Sequence, residues 1–189
     1  MKEMTSIYKN SATRFLMETS QQKFLYFVYW TAIFVVSGSM LVYGVAKPIQ
    51  FKNFSAATNS NLSEGHQVMW TFYSYTKAYP IIIGFFEVIG AVAILFNRTR
   101  VFGCILLTVI LSNIIIQDYL YDVFALSTAV FYQILVLLIL VFDYEKLKTV
   151  LLELFKSQAK NRHFVLLFVA LVFALLIKFF ENRIFSFFL

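Results

Sequence analysis

Hydrophobic and polar positions along this chain fall into long blocks and do not alternate. Phe24 to Ala46 runs 23 residues without a charge. A second block, Pro80 to Phe96, is interrupted only by Glu87. A third runs from Val101 to about Ile116, a fourth from Val123 to Phe142, and a fifth from Phe164 to Phe180 with Lys178 near its end. About 20 apolar residues in a helix cross the hydrocarbon core of a bilayer. Backbone polar groups in lipid must also be satisfied within the segment or in a closed barrel. The pattern therefore predicts an all-α, polytopic transmembrane bundle with five spans. The first block is too long for the core of a signal peptide, and no small-residue cleavage pattern follows it.

The segments between the blocks carry their own pattern. In residues 1–23, Met4, Ile7, Tyr8, Ala12, Phe15 and Leu16 fall on one helical face, which predicts an amphipathic segment. In the link 143–163, Leu147, Val150, Leu151, Leu154 and Phe155 do the same among Lys146, Lys148, Lys156 and Lys160. A basic amphipathic helix of this kind lies on anionic lipid or docks on a partner protein. The longest link, Lys47 to Tyr79, has room for a short surface helix over Glu64–Lys77 that stops before Pro80.

Composition sharpens the picture. Apolar residues make up 60% of the 189 and charged ones 14%, well below the roughly one quarter usual in soluble domains. A soluble fold of this size could not hide so much apolar surface. The net charge of +6 sits beside the apolar blocks, so it reads as a topology signal and lipid anchor; no nucleic-acid partner is expected. Lys2, Lys9, Arg14, Lys23, Arg98, Arg100, Lys146, Lys148, Lys156, Lys160 and Arg162 lie on one side of a five-span topology, against Lys47, Lys52, Lys77, Lys178 and Arg183 on the other. The richer side faces the cytoplasm. The N-terminus is thus expected inside and residues 164–189, the fifth span and C-terminus, lead outside. Tyr26, Tyr29 and Trp30 mark the inner interface, and Trp70, Tyr73, Tyr75, Tyr79, Tyr119 and Tyr121 the outer one.

Chemistry is sparse. Cys104 is the single cysteine and lies in an apolar run, so neither an internal disulfide nor a CxxC relay can form. His66 and His163 both lie outside the apolar blocks, which argues against a haem or metal site in the membrane. No nucleophile–base pair, phosphate loop or metal cluster is visible, so no independent catalysis is expected. Glu87 is the telling residue, because an ionisable group inside a span is costly. Gly84, Gly90 and Ala91 flank it at helical spacing and let another helix approach. Its expected partner is Lys47, at the outer end of span one, with Gly44 one turn below. Asn113, Gln117 and Asp118 on span three are expected to join them in the outer half of the bundle. Three roles stay open for this polar cluster: fixing helix register, holding a ligand, or passing ions. Arg98, Arg100, Lys146 and Lys148 are expected to face lipid head groups.

Several of these residues resemble a known family. Gly44-x-x-Lys47, then Pro80, Gly84 and Glu87-x-x-Gly90, the Arg98-Thr99-Arg100 turn, and Asn113 followed by Asp118 look like the DoxX family of small membrane proteins. The resemblance covers Phe24 to Phe142 and implies a four-helix core over residues 24–142. It implies a bacterial inner-membrane protein working as a non-catalytic subunit or assembly module of a complex, redox-linked in some members, with protein partners. A fifth span and a basic link are extra here, and the paired cysteines of redox members are absent. No cofactor is evident. The competing expectation is a protein that binds or transports a small amphiphile, a quinone or a lipid, at the Glu87 site.

Overall fold

The computed structural model describes the backbone of residues 2–52, 54, 61–156 and 163–188, and the side chains of these from Thr19 to Phe180. The amphipathic face expected in residues 1–23 lies largely outside the described side chains, as do Lys160, Arg162 and Arg183. All regular structure among the described residues is helical: α1 (Lys2–Gln50), α2 (Glu64–Tyr75), α3 (Ala78–Leu95), α4 (Arg100–Leu120), α5 (Leu126–Phe142), α6 (Tyr144–Leu154) and α7 (Phe164–Phe188). The chain divides into two compact units, Met1–Val150 and Leu151–Leu189.

The protein is membrane-embedded. Thr19–Gln50, Ala78–Leu95 and Arg100–Leu120 are long and apolar enough to cross a bilayer. A fourth crossing follows if α5 and α6, which meet at a bend of 83°, count as one. The described part of the last helix, Phe164–Phe180, is a shorter apolar helix, and all of it is exposed. The ends of α3, α4 and α5 fall within a few residues of their apolar blocks, whereas α1 already begins at Lys2 and α7 runs on to Phe188. Pro80 sits in the first turn of α3, where the missing N–H costs nothing. Between α4 and α5 the chain reverses through Asp122 at φ 50°, a left-handed conformation that Asp tolerates.

The core of the first unit is built by α1, α3, α4 and α5 around Ile33, Val36, Met40, Ile94, Leu107, Leu111, Val136 and Ile139. The tightest seam joins α1 to α3. A Cβ on Gly44 would come within 2.6 Å of the Gly84 carbonyl, and a Cβ on Gly84 would run into the Gly44 carbonyl. Pro48, in the last turn of α1, has no N–H to offer the Gly44 carbonyl four residues back. That carbonyl faces Gly84 instead. Ser37 adds a hydrogen bond to the Ala91 carbonyl, 2.9 Å, along the same seam.

At one end of this bundle α2 lies across the helix ends. Ser63 caps it, its hydroxyl accepting from the His66 N–H at 3.2 Å and donating to the Asp122 carbonyl at the same distance. Gly65 lets α2 rest on the α4–α5 turn, since a Cβ there would meet the Tyr121 carbonyl at 2.7 Å. The expected surface helix therefore has a buried face, made of His66, Met69 and Tyr73, packed with Phe51 and Val123.

Candidate functional site

The Lys47–Glu87 pair is present. Nζ of Lys47 donates to Oε1 of Glu87 at 2.6 Å, and both side chains are buried, at 9% and 1% exposure. Gly44 and Gly84 set this geometry, because their close contact brings α1 and α3 together one turn from the pair.

The pair lines a cavity of about 330 Å³ between α1, α2, α3, α4 and α5, within the range of small-ligand sites. Its polar rim holds Lys47, Glu87, Gln117, Asp118 and His66, and its apolar part holds Met40, Leu111 and Ile114. Met40 precedes Lys47 by seven residues on α1, and Leu111 precedes Asp118 by seven on α4. The two helices run the same way, so the apolar floor lies about 10 Å below the charged rim at 1.5 Å per residue. Aromatic rings close the upper part: Phe51 stacks on Tyr73 at 4.7 Å, and Trp70 sits 5.1 Å from both Phe51 and His66.

Hydrogen bonding in this site is incomplete. Tyr73 donates to Oε1 of Gln117 at 2.6 Å. Oε2 of Glu87, Oδ2 of Asp118 and both ring nitrogens of His66 are buried without a hydrogen-bond partner among the described residues. Asp118 is 3% exposed and His66 4%. Burial holds the His66 pKa below its ordinary 6.5 and pushes the Tyr73 phenol up. Leaving buried polar atoms unpaired is costly, so an arrangement that gathers several around one cavity is suited to a ligand that supplies the missing partners. Among the described residues no group of three or more His, Cys, Asp or Glu side chains is placed to hold a metal.

Two expectations need correction. Asn113 is exposed and lies outside the cavity. At about 100° per residue it sits some 200° around α4 from Leu111, whereas Asp118, about two turns on, shares the Leu111 stripe. Arg100 does not face lipid head groups: it is 3% exposed. Its Nε donates to the Ile94 carbonyl at 2.8 Å and Nη2 to that of Leu95 at 3.3 Å, satisfying the end of α3. Nη1 donates to the Tyr29 hydroxyl at 2.6 Å, and that hydroxyl donates to Asp143 at 2.9 Å. The guanidinium lies 5.3 Å from the Trp30 ring. Arg98 and Lys148 are exposed, as a head-group role requires. Lys146 is exposed too, but it donates to Asn97 and lies 3.7 Å from Asp143. Of the expected interfacial rings, Tyr73 lies on the buried face of α2. His66 and the whole lining from α2 were missed, because only the docking of α2 through Gly65 brings them over the cavity.

The chain is similar to an uncharacterized protein, YwoB, of Bacillus subtilis (strain 168), with 29% identity over 110 residues, 57% of this chain and 71% of that protein. No family model matches the chain, and no solved structure matches it.

Proposed function

We propose that this protein binds a small amphiphile, a lipid or a quinone-like molecule, in the cavity between α1, α2, α3, α4 and α5. One observation carries the reading: the cavity joins a charged rim with unpartnered buried acceptors to an apolar floor. An amphiphile has the same two-part character. The reading places the protein in a bacterial inner membrane with the N-terminus in the cytoplasm, α1, α3, α4 and α5 as a DoxX-like four-helix core, and α7 as a fifth span. The excess of Lys and Arg on one side supports the orientation, and α5 at 17 residues, about 26 Å, is near the thickness of a hydrocarbon core. The cavity then opens in the outer half of the bundle.

Native mass spectrometry of protein extracted gently from its own membrane tests this. A bound mass in the range of a single lipid or quinone is expected, and Glu87→Gln is expected to fold and lose it. An empty chain, or a bound mass that Glu87→Gln keeps, would refute the reading. A second reading, a non-catalytic subunit of a membrane complex, is favoured by α7, whose residues Phe164–Phe180 are apolar apart from Lys178. A co-purifying protein in the same spectrum would support it.

A further inference from the structure

The unpartnered groups around the cavity say what kind of head group fits. Glu87 gives Oε1 to Lys47, and its Oε2 remains an acceptor without a donor. Oδ2 of Asp118 is likewise unpartnered, and Asp118 has no ion-pair partner among the described residues. Two carboxyl groups thus share the rim with one ammonium group. Lys47 balances Glu87, and the charge of Asp118 is left over. A buried charge without a partner is unstable. His66, buried between Trp70 and Phe124, brings a ring nitrogen that accepts. Trp70, Tyr73 and Phe51 also line the cavity, and a cation over a free aromatic face is favoured.

From this the geometry points to a lipophilic ammonium ligand: a primary or secondary amine in its protonated form, its N–H groups donating to the Asp118–Glu87 rim and its hydrocarbon body lying against Met40, Leu111 and Ile114. The inference rests on the amphiphile-binding reading and narrows it. A quinone offers only carbonyl acceptors, and acceptors set against carboxylate acceptors gain nothing. A fixed quaternary cation carries the charge and lacks the donors. A long-chain alcohol has a donor and lacks the charge.

Isothermal titration of the full chain in a non-ionic detergent at pH 7 separates these, using dodecylamine, dodecyltrimethylammonium, dodecanol and decylubiquinone. Dodecylamine is expected to bind at least tenfold more tightly than the other three. Asp118→Asn, which is nearly isosteric, is expected to lose at least tenfold in affinity for dodecylamine alone. Dodecanol or decylubiquinone binding as tightly as the amine would overturn the ammonium assignment and leave the amphiphile reading standing. Binding of none of the four would overturn both. Should Asp118→Asn fail to fold, the ranking of the four probes on the unaltered protein still decides, and Glu87→Gln serves as the second variant: amine affinity unchanged in it would overturn the placement at this rim.

Discussion

At one end of the bundle Arg100 finds acceptors in Ile94, Leu95, Asn97 and Tyr29, and Tyr29 passes the link on to Asp143. At the other end Lys47 and Glu87 are as deeply buried, yet Glu87 and its neighbour Asp118 each keep an oxygen with no donor among the described residues. Both clusters tie helices that are distant in sequence. The Arg100 cluster closes the loose carbonyls at the end of α3, which is what a polar network built for stability looks like. The Lys47 cluster borders about 330 Å³ of open space and is left half finished. Completeness of hydrogen bonding, more than burial or charge, separates the two clusters.

The difference can be attacked at four points. The largest effect is expected from Lys47→Met, which strips a buried carboxylate of the ammonium group it pairs with: a loss of about 3–5 kcal/mol, read by denaturant unfolding in detergent. Replacing both partners, Lys47→Met with Glu87→Met, should restore most of that loss. If Lys47→Met melts like the parent, the pair contributes no stability. At the other end, Arg100→Lys keeps the charge but loses the fork that reaches Ile94, Leu95 and Tyr29 together, and about 2 kcal/mol should go with it. Ligand affinity should not change, and a change would mean that the two ends are coupled.

A smaller effect concerns pH. The His66 pKa is lowered in the fold by burial, so below about pH 6.5 the unfolded chain takes up a proton that the folded one resists. Stability is therefore full above that pH and falls as the pH drops, by at most about 1.4 kcal/mol per pH unit for one proton. His66→Phe should flatten the slope in thermal melts between pH 7 and 5. The smallest effect is expected for Asn113→Ala, within about 0.5 kcal/mol and silent in ligand binding, since Asn113 faces away from the cavity. A clear loss of ligand in Asn113→Ala would place it back in the site.

The positions of the helices were legible because an apolar run of membrane length has few other uses. Glu87 announced itself as a charge in such a run, and Gly84 and Gly44 pointed to Lys47. Arg100 could not be read in the same way. At a helix end, an arginine that reaches out to lipid phosphate and one that folds back onto carbonyls have the same neighbours in sequence, and its link to Asp143 spans 43 positions. Asn113 was misplaced by a matter of helical phase: one turn from Gln117 sounds like the same face, but Gln117 itself sits on the flank of the buried stripe. His66 was invisible because α2 carries no apolar run of its own, and its place over the cavity depends on contacts with Phe51, Tyr121 and Val123 that lie far along the chain.

The ion pair between α1 and α3 also bears on how the chain is made. A carboxylate entering lipid on a solitary helix is heavily penalised, and a lysine at the end of another is not yet neutralised. Lys47 precedes Glu87 by 40 residues, so α1 is complete before its partner charge has been made. Entry of the two helices as one hairpin, with the charges already joined across the Gly44–Gly84 seam, would avoid that penalty.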